Sequence, residues 1–212
     1  MITKPSTTHS AIAEAAEWRL IGVLLERPRA GWHGEIATLA AEVRDPALRA
    51  AAATARDARE GDYQRLLGPG GVVSPREVTY QSFADPGRVL AELAMVYDAF
   101  GFRPRVEEPL DHVAIEAAFV GYLLLKEAYA GARGERATAA ITVAARRAFM
   151  EAHLGGFVAT FTQRLEEVGA SYLLPTARLL AVRLPARPPL PLAASRLEVP
   201  DACGACLMGP GD

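Results

Sequence analysis

The sequence predicts an all-α protein, a single helical bundle made of two helical halves. Three observations predict it. Apolar residues recur at helical spacing in almost every segment, no stretch alternates apolar and polar residues as a half-buried strand does, and glycine and proline fall between the periodic segments. The first helix is expected over about residues 11–26: Ser10 is placed to cap it, Trp18, Ile21, Leu24 and Leu25 share one face, and Pro28 stands past its end. "EIATLAAEV" and "PALRAAAATARDA" give two more, divided at Asp45-Pro46, where proline suits a first helical turn. "DYQRLLG" adds a short apolar turn. "PGRVLAELAMVYDAF" carries Val89, Leu93, Val96 and Phe100 in phase and ends at Gly101, a C-cap residue. Helices over about 110–130, 135–153 and 154–168 follow, and Pro175 in "SYLLPTARLLAVRL" belongs in a first turn or at a kink.

Two segments interrupt this pattern. "GPGGVVSPREVTY", residues 68–80, is rich in glycine and proline, and "GFRPRVEEPLDH", residues 101–112, carries Pro104 and Pro109. Irregular loops between helical halves are where binding residues tend to sit. The second loop is read as a hinge within one helical domain over residues 1–184. Residues 185–212 hold six of the fifteen prolines and read as a tail that wraps the surface or stays mobile.

Composition narrows the function. The chain has 212 residues, half of them apolar, and a net charge of −2. That length suits one compact domain with a real core. A nucleic-acid binder would need a basic face to neutralise several phosphates, which this balance does not supply. Residues 117–125 form an apolar run of nine, about half of a membrane span. Glu14, Glu17 and Arg19 interrupt the one N-terminal candidate for a secretory core. The expectation is a cytoplasmic protein without membrane insertion.

Catalytic patterns are missing. Gly68, Gly70 and Gly71 lack the Lys-Ser/Thr of a P-loop and follow no strand, there is no GxSxG elbow or HExxH, and no histidine stands beside a nucleophile pattern. No enzyme and no cofactor are expected. The densest chemistry is "EEPLDHVAIE", residues 107–116, with Glu107, Glu108, Asp111, His112 and Glu116. His112 and Glu116 are four apart on one helical face, so a metal site or an Asp111/His112 base pair is possible on paper. Three ligands from one short segment are awkward, however, and no further His or Cys is near in sequence. Asp111 also fits a helix start, its charge meeting the positive end of the dipole, with His112 packed against a neighbouring loop. Cys203 and Cys206 are the remaining metal candidates. A C-x-x-C pair is half of a tetrahedral site, and no second pair exists to complete it.

Two motifs carry a resemblance to the TorD/DmsD/NarJ family of redox-enzyme maturation chaperones. "YQRLLGPGGVVSPREVTY" is similar to the family's aromatic, Leu-hydrophobic pair, Gly-Pro, then Pro and Glu, matched by Tyr63, Leu66, Leu67, Gly68, Pro69, Pro75 and Glu77. Arg76 stands where some members place an aromatic. "YDAFGF" followed by "EEPLDHVAIE" resembles the family's Y-x-x-F-G-F, E-P-x-D-H and helical Glu through Tyr97, Phe100, Gly101, Phe102, Glu108, Pro109, Asp111, His112 and Glu116. "FMEAHLGGFVATFTQRL" is similar to a later segment, so that the likeness covers roughly residues 60–182.

The resemblance implies a TorD-like fold and a cytoplasmic chaperone. It would hold the N-terminal leader of a molybdenum oxidoreductase apo-subunit, often one with a twin-arginine motif, for cofactor insertion, assembly or export. Tyr63, Leu66, Leu67, Pro75, Glu77, Tyr80, Glu108, Asp111, His112 and Glu116 are then the expected leader-binding residues, with Glu107 beside them. The carboxylates would receive guanidinium groups and the apolar side chains would line a groove. Asp111 and His112 are expected to be exposed on their loop. A subunit retained in the mature complex is the rival within this class. The chain is expected to be mainly monomeric, with a minor dimer that exchanges halves at the hinge.

Overall fold

The computed structural model describes residues 7–81 and 85–185. They form nine α-helices: α1 (Thr7–Leu24), α2 (Trp32–Glu42), α3 (Pro46–Thr54), α4 (Glu60–Leu67), α5 (Pro86–Phe100), α6 (Val113–Ala132), α7 (Arg136–Ala152), α8 (Leu154–Glu167) and α9 (Leu174–Ala181). Short 3-10 turns occupy Ala55–Asp57 and Glu77–Tyr80. Among the described residues the only β-type pairing is one bridge, between Arg76 and His112. No helix among the described residues is long and apolar enough to cross a membrane. Cys203, Cys206 and the tail beyond 185 lie outside the described residues.

The helix signals act as elementary capping chemistry requires. Asp45 and Asp85 accept the N–H of Ala47 and Gly87, each followed by proline in the first turn. Gly101 closes α5 with φ at +69°, a left-handed conformation that glycine adopts without a Cβ penalty. Pro175 falls in the first turn of α9. Two expectations are corrected. α1 already runs through Ser10, so that residue does not cap it. α6 begins at Val113 with His112, not Asp111, as its N-cap.

One apolar core runs through the bundle, from Trp18, Ile21 and Leu24 of α1, with Leu25 just past its end, to Phe119 and Leu123 of α6 and Phe157 and Phe161 of α8. α1, from the first half of the chain, makes its broadest contact with α6, from the second. Their near approach depends on two glycines. A Cβ on Gly22 would lie 3.2 Å from the carbonyl oxygen of Ala114, and one on Gly121 would lie 3.3 Å from that of Ala15 and from the Trp18 Cβ. Alanine at 121 would gain about 1 kcal/mol in helix propensity. Forcing two helices apart costs about 1–3 kcal/mol, so crowding wins. We expect Gly121→Ala to lose about 1 kcal/mol net in urea unfolding.

Candidate functional site

The two motif loops meet. Residues 75–77 lie antiparallel to residues 111–113: the Glu77 N–H donates to the Asp111 carbonyl at 2.9 Å, and the Val113 N–H donates to the Pro75 carbonyl at 2.9 Å. Side chains on both loops then lock this clasp from within.

His112 ties three elements together. Its Nδ1 accepts the Ala114 N–H at 3.1 Å and caps α6, which leaves the ring proton on Nε2. Nε2–H therefore donates to the Tyr63 hydroxyl of α4, 2.8 Å away. Protonating Nδ1 would turn an acceptor into a donor facing another donor. Burial, aided by the nearby Arg76 charge, lowers the His112 pKa to about 3. The imidazole stays neutral and serves as a structural connector.

Three buried carboxyl groups share the space behind it. Asp111 is fully buried; Arg76 Nε donates to both its oxygens, at 3.0 and 3.2 Å, and the Val78 N–H donates to one at 3.3 Å. Glu77 faces His153 Nδ1 at 3.0 Å and accepts a bond from Gln81. Glu116 has no hydrogen-bond partner for either oxygen, although Glu77 lies close enough for a proton on one carboxyl to be shared with the other. Burial first, then the charges of Glu77 and Asp111, push the Glu116 pKa well above the usual carboxylate range. Two of the three acids have cationic or N–H partners; burial and its acidic neighbours push the third towards its neutral form.

The expected exposure of Asp111 and His112 is therefore corrected. Both are buried, as are Tyr63, Leu67, Pro75, Glu77 and Glu116. Leu66, Tyr80 and Glu108 are partly exposed: Tyr80 stacks on Phe157 and donates to the Ser74 carbonyl, and Glu108 lies 3.9 Å from Arg27. Glu107 is exposed. Among the described residues no group of three or more His, Cys, Asp or Glu side chains is placed to hold a metal ion. Both His112 nitrogens are already hydrogen-bonded within the clasp, to the Ala114 N–H and the Tyr63 hydroxyl.

A second feature went unread in the sequence. A cavity of about 360 Å³ opens along the α1/α6 seam. Small residues, among them Ala15, Ala118 and Gly121, form its floor, Phe102 and Val106 of the 101–112 loop wall one side, and Glu26, Arg29 and Glu35 close the other. Arg29 donates to Glu35 at 2.7 Å and to Glu26 at 3.4 Å, and Arg19 donates to Glu35 at 3.0 Å. Burial raises the Glu26 pKa to about 7 against the opposing pull of Arg29. These residues share no sequence motif. They meet only because α1 and α6 cross.

No curated protein and no solved structure matches the chain. The family model described as the nitrate reductase delta subunit matches residues 28–163, a span that contains both motif loops.

Proposed function

Because the chain belongs to the nitrate reductase delta subunit family, the NarJ/TorD-type chaperones of molybdoenzyme maturation, we propose that it binds the N-terminal leader of a molybdenum oxidoreductase apo-subunit. It acts in the cytoplasm, holds the apo-subunit for cofactor insertion, assembly or export, and performs no catalysis itself. The family match across both motifs carries this reading. Of the ten residues expected to bind the leader, Leu66, Tyr80 and Glu108 keep surface for direct contact. The other seven are buried, and Pro75, Glu77 and Asp111 among them join the two loops. If the leader has a twin-arginine motif, Glu107 and Glu108 are the carboxylates it can reach, since Asp111 and Glu116 are sealed.

The test is co-purification with the molybdoenzyme apo-subunit encoded beside this gene, with and without its first ~30 residues, a rough leader length. We expect retention of the full apo-subunit and loss of at least most of it on truncation. We also expect no trace of this chain in the mature enzyme. Equal retention of the truncated subunit would end the leader reading, and a stoichiometric copy in the mature enzyme would make the chain a subunit instead.

A further inference from the structure

We infer that the α1/α6 groove takes an apolar helical segment whose end beside the 101–106 loop carries carboxylates rather than an arginine pair; this rests on the leader-binding reading and specifies its ligand.

Shape gives the apolar part. On α1, Ile12, Ala15, Arg19 and Val23 recur at helical spacing, Glu26 follows just past the helix end, and all but Ile12 line the cavity. On α6, Leu125 lines the open end and Tyr129 follows one turn later. Ile12 and Leu125 are each 49% exposed and Tyr129 is 64% exposed, so the apolar stripe continues out of the cavity over the surface. From Ile12 to Val23 it runs about 16 Å, at 1.5 Å per helical residue. That length matches an amphipathic helix of roughly 11 residues laid in a groove.

Charge gives the polar end. Four arginines (19, 29, 103 and 105) line the cavity against two glutamates (26 and 35). Glu35 is already shared by Arg19 and Arg29. With its pKa near neutrality, Glu26 holds only part of a charge at physiological pH. Asp98 offsets Arg103 from outside the cavity. Arg105 is exposed and has no ion-pair partner among the described residues. At the far end Arg133 pairs with Glu135, and Lys126 beside Leu125 donates to the Phe100 carbonyl. A ligand carboxylate beside the loop meets Arg105. An arginine pair there meets like charges.

Two fluorescent peptides of roughly 15 leucine, alanine and glutamine residues, one ending in two glutamates and its twin in two arginines, should be titrated with the full chain. The glutamate-ended peptide should bind roughly five-fold more tightly, the scale of one good exposed ion pair. R105E should reverse the order, and L125E should weaken both peptides about tenfold by placing a charge on the apolar stripe. Both sites are exposed, so melting should not move, and unchanged melting will show that the variants remain folded. Equal binding, preference for the arginine-ended peptide, or an order unmoved by R105E would overturn the inference. Apo-subunit retained equally by wild type, R105E and L125E would remove this groove and leave the chaperone reading standing. Failure of the wild type to retain it would overturn that reading as well.

Discussion

Replacing Asp111 by alanine should lower the thermal midpoint by roughly 10 °C, a stability loss of about 3 kcal/mol at the usual 2–4 °C per kcal/mol for a domain of this size. The carboxylate is fully buried and receives two contacts from Arg76 Nε and one from the Val78 N–H. Alanine removes all three and keeps only the backbone bond from Glu77. Breaking a buried pair by deleting one partner costs about 3–5 kcal/mol, because the other charge is left uncompensated. Here the survivor is Arg76, whose side chain is 36% exposed and can recover some hydration, so the lower end of that range applies. Asp111→Asn keeps the shape and one acceptor and should fall between wild type and alanine. Differential scanning calorimetry on the three proteins decides it. A midpoint within about 1 °C of wild type for the alanine variant would mean that the clasp contributes nothing to stability. The same measurement must precede any binding assay at this position, since a destabilised loop and a lost ligand contact both reduce retention of a client.

Fold class was legible because it rests on local signals. Apolar spacing, the Asp-Pro helix start at 45 and the C-cap Gly101 each act within a few residues, and each appears where the pattern put it. Membership in the family was legible for a related reason: both motifs are contiguous strings. The direction of the motif side chains was not. A loop rich in Asp, Glu and His normally signals solvent, yet this one faces inward because Arg76, 35 residues away in sequence, supplies the countercharge. Arg76 was readable only as a departure from the family's aromatic, and the arginine after Pro75 was the available hint. His153 was visible as part of a later family-like segment, but nothing in the sequence joined it to Glu77, 76 residues earlier. The α1/α6 cavity was beyond reach altogether. Its residues are ordinary members of two amphipathic helices, and only a helix crossing with glycine at the contact turns them into a groove.

Glu116→Gln should stabilise the protein, and increasingly so as the pH rises. The Glu116 carboxyl is wholly buried, lacks a hydrogen-bond partner and faces the charges of Glu77 and Asp111, so its folded pKa stands well above the ordinary value of 4.5. The sign follows from proton counting. Between the unfolded pKa and the higher folded one, the native state holds a proton that the unfolded chain has released. Wild-type stability on this account is full below about pH 4.5 and falls by about 1.4 kcal/mol per pH unit until the folded pKa is passed. Glutamine has nearly the same shape and no proton to hold, so its variant lacks this slope. Glu26, raised to about 7, contributes a decline of the same sign, but it is present in both proteins and cancels in the difference. Urea unfolding of wild type and variant across pH 5 to 8 should therefore give curves that nearly coincide at the acid end and diverge towards the alkaline end, with the variant the more stable. A variant equally or less stable at every pH would show that Glu116 is ionised in the native clasp and bonded there as a carboxylate, a role that glutamine cannot fill.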